Sequence, residues 1–406
     1  MTPPRFRQAE SHQPAGSPTA QLALLRSFAF GLLLLFTLVG CSLIEPAPTP
    51  IPLPPTAPPG APVGAPAPGG AAGGSIGKPP GALARYEFTV TLDFVGSAAQ
   101  VVEFVDITNP GPDTWDQVVF HIPAHLDETE FAISGVSVFD GVETQAARYL
   151  VANNFISVFL ENPLPPNSGV GVSLVFGLQA SPTVQFGLVA RRPEGNIGFN
   201  SQASILQFIN WYPALVPYRP GQGWLLWQPT QVGDPLVTEI ADYRLTVIAP
   251  TEEVVVVSGG PTSREGRTWR FEMRGARNIV FVASANGYEV ATNTFDGIPV
   301  FSYFLPRHRL AGEAALQTAG EALILFNQQF GRYPYNSLVI AEGAYLHSAS
   351  GAGVIIHSYK GYTDYTGQPT ELLIALMPQT LSQTWWGGVV GSNAVLEPWI
   401  MSGLTL

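Results

Sequence analysis

Residues 379–393 read QTLSQTWWGGVVGSN. They close a longer phrase, TELLIALMPQTLSQTWWGG (370–388), whose apolar positions fit a helix. Pro378 inside that pattern removes a backbone donor and crowds the turn before it, which predicts a kink or a fresh helix start. The tip of the phrase is chemically quiet. Its Gln, Thr, Leu and Ser lead into a Trp pair and two glycines, and no side chain there titrates near neutral pH or binds a metal well.

Moving outward, IPVFSYFLP (298–306) reads as a strand, and RLAGEAALQTAGEALILFNQQFG (309–331) as a helix. In the helix, apolar residues step by three and four through Leu316, Ala319, Leu323, Phe326 and Phe330, and Gly331 stops it. NSLVIAEGAY and GAGVIIHSY read as sheet strands, so residues 298–406 are expected to form a mixed α/β domain. Upstream the pattern is β. YEFTVTLDF (86–94) alternates Tyr86, Phe88, Val90, Leu92 and Phe94 against Glu87, Thr89, Thr91 and Asp93, as a half-buried antiparallel strand does. Similar runs, among them AQVVEFVDITN, DQVVFHIP, GVGVSLVFGLQA and DYRLTVIAP, are separated by turn phrases such as NPGPD and NPLPPNSG. Residues 84–297 are therefore expected to be a β-sandwich or saddle-shaped sheet.

Residues 42–83 are rich in Pro, Gly and Ala with almost no large apolar side chain, so they cannot build a core and read as a disordered tether. At about 3.1 Å per residue in the polyproline II form, such a tether reaches on the order of 100 Å. Residues 1–41 carry Arg5, Arg7 and Arg26, the apolar run SFAFGLLLLFTLV and then LVGC, ending at Cys41. A basic start, an apolar stretch and small residues before a cut site make a secretory signal. LVGC resembles the bacterial lipoprotein box, which implies lipidation of Cys41 and an extracytoplasmic protein held on the bacterial cell membrane by its acyl chains. An uncleaved membrane helix, since Ser27–Ile44 carries no charge, is the alternative.

The bulk numbers agree with a folded body. The 406 residues are 46% hydrophobic, and only 12% are charged against a usual share of roughly 25%. The net charge of −11, with Lys78 and Lys360 as the only lysines, argues against nucleic-acid binding, which needs clustered cations. A single cysteine excludes an intrachain disulfide and a thiolate metal cluster.

The order of phrases makes a resemblance specific. A β-rich domain, NWYPALVPY, DYRLTVIAP, a helix with FGRYPYNSLVIAEGA, and QTWWGGVVG followed by EPWIMSGL together resemble the membrane alanyl aminopeptidase family of zinc peptidases (gluzincins). The likeness runs from about Tyr86 to Leu406. That family carries HExxHQWWG and, after 18 residues, a Glu in a WLxEG phrase. Two His at i and i+4 share one helix face, a Glu on the next helix completes a three-ligand zinc site, and the Glu beside the first His takes a proton from the zinc-bound water. The resemblance implies a thermolysin-like fold for the α/β domain, incomplete at its C-terminal end because the family's catalytic Tyr and helical C-terminal domain have no counterpart. It also places Gln379 and Gln383 at the His positions, Thr380 at the general base and Ser402 at the third ligand. In the amine-binding loop, falling around SASGAGVI, Ser350 stands where the family has Glu. An amide or hydroxyl oxygen is a poor zinc ligand, and Thr is no base near neutral pH. Zinc is expected for the family, its ligands are missing here, and no cofactor is predicted.

Other chemistry is thinly represented. His347 and His357 flank the degenerate loop without a third ligand, Asp364 reads as a turn residue and Glu371 as a first-turn helix acid. Ser382 and Ser402 have no neighbouring base. The aromatic phrase with Trp211, Tyr212, Tyr218, Trp224 and Trp227 reads as a packed interface between the two domains rather than a sugar platform. The expectation is thus a membrane-anchored, non-catalytic relative of zinc aminopeptidases that binds peptides or envelope proteins. The alternatives are a truncated or split piece of an active peptidase and a surface adhesin or carbohydrate-binding β-module.

Overall fold

The computed structural model describes residues 83–122, 129–185, 188–189, 197–228 and 237–405. The expected leader, the expected lipidation site Cys41 and residues 42–82 of the expected tether lie outside the described residues. No helix among the described residues is long and apolar enough to cross a membrane.

The fold is mainly β followed by an α/β region. An eight-stranded sheet runs in the order Thr262–Glu265, Thr268–Ala276, Ala241–Ile248, Ala84–Asp93, Ala98–Thr108, Gly169–Gln179, Phe131–Phe139, Thr144–Ala146. The alternation of the first strand is realised: Tyr86, Phe88, Val90 and Leu92 are buried while Thr89, Thr91 and Asp93 face water. That strand pairs antiparallel with Ala98–Thr108 and parallel with Ala241–Ile248, so the sheet is mixed at its centre. A four-stranded sheet around Trp115–His121 and a five-stranded sheet around Ile205–Phe208 and Phe281–Ser284 complete one apolar core with it.

The middle of that core is aromatic. Tyr86 stacks on Tyr243 at 5.0 Å, Phe208 on Phe281 at 4.4 Å, and Trp211 lies edge-on to Tyr212 and Phe281. Polar tips are satisfied inside: the Trp211 indole donates to the Ile279 carbonyl (2.9 Å), and the Tyr86 hydroxyl accepts from Leu215 N (2.9 Å). Trp211 and Tyr212 are thus core residues of the β domain, and neither ring face is left for a ligand. Truncating one such ring costs about 3–5 kcal/mol.

The five-stranded sheet is covered on both sides, which is why VFVAS reads as a continuous apolar run. Its second face meets the sheet of the α/β region, ordered Glu289–Phe295, Ile298–Phe304, Leu338–Glu342, Val354–His357, Ala349–Gly351. The first two of these strands turn at Asp296–Gly297, both at positive φ, the backbone that a tight hairpin needs. On the opposite face lie helix α1 (Arg309–Phe330) and two further helices, α2 (Tyr359–Asp364) and α3 (Leu372–Ser382). Helix α1 sits close because Gly312 and Gly320 face the rings of Phe304 and Phe295: a Cβ at either would lie within 2.3 Å of ring carbon. It ends at Gly331 (φ 96°), where its pattern predicts. A short helix α4 (Pro398–Leu404) follows a π-helical turn at Thr384–Val389.

Candidate functional site

The four degenerate positions lie on α3, the residue that caps it, and α4. Helix α3 continues through Pro378 without breaking, and the backbone stays right-handed at Gln383 (φ −61°, ψ −20°). Gln379 and Gln383 therefore remain one turn apart on one face, the i and i+4 geometry that a metal pair would use. Gln383 is engaged otherwise. The Gln383 side-chain oxygen accepts a hydrogen bond from the Ser350 hydroxyl at 2.8 Å. Thr380 is buried and donates back to the Leu376 carbonyl (2.9 Å), and Ser382 donates to the Gln379 carbonyl (2.7 Å). Both hydroxyls are turned onto their own helix.

Ser350 sits in the short strand Ala349–Gly351, which is the outermost strand of its sheet and pairs antiparallel with Val354–His357. The structure thus places Ser350 and Gln383 in direct contact. Ser402 lies on α4, and its neighbour Met401 packs against Gly387, where a Cβ would meet the sulfur at 2.9 Å.

The inert frame has a packing role. Trp385 is buried among Phe326, Phe330 and Tyr333, and its indole donates to the carbonyl of Gly331 (2.9 Å), tying the turn to the end of α1. Trp386 lies edge-on to Phe330. The π-helical turn closes through Gly388 N to Gln383 O (3.1 Å) and Val390 N to Trp385 O (2.8 Å). Arg277 of the β domain then reaches in: its Nε donates to the Gly388 carbonyl (3.1 Å) and its guanidinium to the Thr238 carbonyl (2.8 Å). Gly391 lies against that guanidinium, 2.1 Å from its carbon to a built Cβ. So the Trp pair and the glycines join α1, α4 and the β domain, a function that needs no titrating group. Nothing in the phrase RGARNIV singles out Arg277 in advance.

The remaining titratable residues are dispersed. His357 is fully buried at the end of its strand, where burial pushes its pKa down to about 4 and keeps the ring neutral. His347 packs on Tyr345, and burial lowers its pKa as well. Asp364 ion-pairs with Lys360 on α2 rather than closing a turn. Glu371 is the residue before α3, and its carboxylate accepts from the Thr366 hydroxyl (2.6 Å) and amide (3.0 Å) and from Gln368 N (3.1 Å), which holds its pKa below the ordinary value. The sequence reading missed a buried pair next to His357, the register partner of Glu342: His308 Nδ1 meets Glu342 Oε1 at 2.9 Å and Leu305 N donates to the second oxygen (2.9 Å). Among the described residues, no three His, Cys, Asp or Glu side chains converge on a point that suits a metal. A zinc ion does not fit this residue set: the first two ligand positions are amides, and one of these is already hydrogen-bonded.

Comparison with known proteins bears on the fold. The chain is similar to the crystal structure of the M1 zinc metallopeptidase from Deinococcus radiodurans, with a TM-score of 0.53 and 12% identity over 80% of this chain and 68% of that one. A Glu-to-Ala mutant of that enzyme gives a TM-score of 0.54 and 15% identity over the same shares. The chain therefore shares the M1 metallopeptidase fold. No family profile matches the sequence, and no curated protein matches it.

Proposed function

We propose that this chain is a non-catalytic relative of the zinc aminopeptidases that holds extended peptide or protein segments along the sheet edge beside Ser350. The observation that carries the reading is the Ser350–Gln383 hydrogen bond: the second ligand position is an amide already engaged by a neighbour, and the first has only an amide to offer. Beside it, the outermost strand Ala349–Gly351 has one side unpaired, and an extended peptide adds to such an edge through backbone hydrogen bonds. The LVGC box supports delivery of the protein to the outer face of a bacterial membrane, anchored through Cys41.

The test has two parts. Metal analysis of the purified full chain is expected to find no stoichiometric zinc, and aminoacyl substrates are expected to survive with or without chelator. A pool of short unstructured peptides is expected to bind, and Ser350→Arg to abolish that binding by blocking the edge. One zinc per chain together with chelator-sensitive hydrolysis would overturn the reading.

A second reading, a piece of a split or longer peptidase, draws on the apolar patch of Val389, Val390, Trp399 and Leu404, which are 46–66% exposed. The coding sequence downstream of codon 406 decides it: helical sequence in a continuing or adjacent frame supports the second reading, and a clean stop with stable monomeric protein removes it.

A further inference from the structure

The hairpin that carries Ser350 is anchored at its tip by the β domain. Its strands, Ala349–Gly351 and Val354–His357, are joined through Ala352 and Gly353, and Gly353 takes the positive φ (71°) that so tight a turn needs. Across a two-residue turn the flanking pair, here Gly351 and Val354, exchange their backbone hydrogen bonds. The next pair, Ser350 and Ile355, is then the non-bonded one, so the N–H and C=O of Ser350 point outward along the free edge. Two residues on, Ala352 N donates to Asn278 Oδ1 of the β domain (3.0 Å).

The seat of the tip is close-packed. A Cβ on Gly259 would lie 2.0 Å from the Ala352 carbonyl oxygen, and the methyl of Met273 sits 2.9–3.3 Å from a Cβ built on Gly259, Gly260 or Gly353. Gly351 faces Val280, 2.3 Å from such a Cβ. Asn278 is fixed through its neighbours: Ile279 O accepts from the buried Trp211 indole (2.9 Å), and Arg277 Nε donates to Gly388 O (3.1 Å). Two consecutive residues therefore hold opposite sides of the Ser350–Gln383 contact, Asn278 the hairpin and Arg277 the π-helical turn.

Resting on the peptide reading above, we propose that Asn278 is a positioning residue for peptide binding, which holds the outward donor and acceptor of Ser350 in line for an added strand and closes the edge at Ala352. An added strand takes its hydrogen bonds from alternate residues of an edge, which in this direction are Ser350 and then Ala352. The Ala352 amide is already given to Asn278. A bound segment therefore pairs at Ser350 and runs from there toward Ser348, and it does not continue over the turn. The two ends of the edge are thus unequal, and a single side chain of the β domain makes them so.

The experiment uses the full chain and two variants at this half-buried position: Asn278→Leu, which removes the acceptor, and Asn278→Asp, which keeps an oxygen in the same place. Hydrogen exchange needs no ligand. Asn278→Leu is expected to accelerate exchange about tenfold in residues 349–354 and to leave the eight-stranded sheet unchanged, while Asn278→Asp restores protection. Binding is then read by anisotropy with a fluorescein-labelled pool of short unstructured peptides, at a temperature where circular dichroism shows all three chains folded. The unaltered chain and Asn278→Asp are expected to bind alike, and Asn278→Leu about tenfold more weakly. A merely structural role moves the urea midpoint and leaves the affinity of the folded chain unchanged. Undiminished binding in Asn278→Leu, or an equal loss in Asn278→Asp, overturns the proposal and leaves the peptide reading in place; binding to none of the three chains overturns both.

Discussion

Glu103 is a costly residue of the β core. It lies fully buried on the strand Ala98–Thr108, with no hydrogen-bond partner for either oxygen, and burial raises its pKa well above the ordinary 4.5. An unpaired buried polar group costs about 1–3 kcal/mol. Because its folded pKa is raised, the stability linked to its proton is complete below about pH 4.5 and is lost as pH climbs toward the folded value. Glu103→Met is therefore expected to raise the denaturant midpoint at pH 7, with a gain that widens in alkali; a gain independent of pH counts against this account. His121 has the opposite sign. Its ring lies against Phe155 with neither nitrogen partnered, and burial depresses its pKa from 6.5 to about 4. Its stabilising contribution is whole above pH 6.5 and is lost as pH falls through about 4, on the order of 3 kcal/mol over that window. His121→Phe is expected to flatten the acid limb of the stability profile measured in urea, while leaving the limb due to His357.

At the scale of elements, legibility follows periodicity. Helix α1 and its stop at Gly331 are readable because one face is buried with the helical period. The strand Glu289–Phe295 is not, because EVATNTF forms an edge of its sheet with mostly polar, half-exposed side chains and shows no alternation. Asp364 and Glu371 were placed by local propensity, and their contacts are with a lysine one helical turn back and a threonine in the preceding loop. The Trp–Gly turn was readable as a frame only through the family resemblance. Its purpose was hidden, since Arg277 approaches it from more than a hundred residues away. Arg277→Ala leaves two carbonyls without their donor, at about 1–3 kcal/mol. Hydrogen exchange is expected to accelerate in residues 384–391 and to remain unchanged in the eight-stranded sheet. Lysine, with a point charge in place of a planar fork, is expected to rescue this only in part.

Close contacts at the seam between the two regions add to their shared apolar core. Gly198 faces Tyr345, whose ring would lie 2.4 Å from a Cβ there and whose hydroxyl donates to Ile197 O (2.9 Å). Gln207 accepts from Ala344 N (2.8 Å), and Asn200 donates to Ala344 O (3.2 Å). None of these partners is near in sequence, which is why the packing of the two regions could be read only by resemblance and not from local pattern. Gly198→Ala wedges the seam and is expected to cost about 1–3 kcal/mol. In the unaltered protein, tryptophan fluorescence and helical circular dichroism should melt together. In Gly198→Ala the helical signal should melt first, and coincident transitions there would show that the seam does not couple the two regions.

The hydrogen bond between Ser350 and Gln383 also bears on what mutation can reach. Gln383→His on its own breaks a satisfied pair and leaves a lone imidazole, short of the three ligands that zinc requires. Thr380→Glu on its own puts a carboxylate into a site that is 5% exposed. Each first step toward the metallopeptidase motif is thus a loss with nothing gained until the others are made. On the proposed non-catalytic reading, the metallopeptidase motif is therefore several coordinated substitutions away, since no single change supplies a complete ligand set.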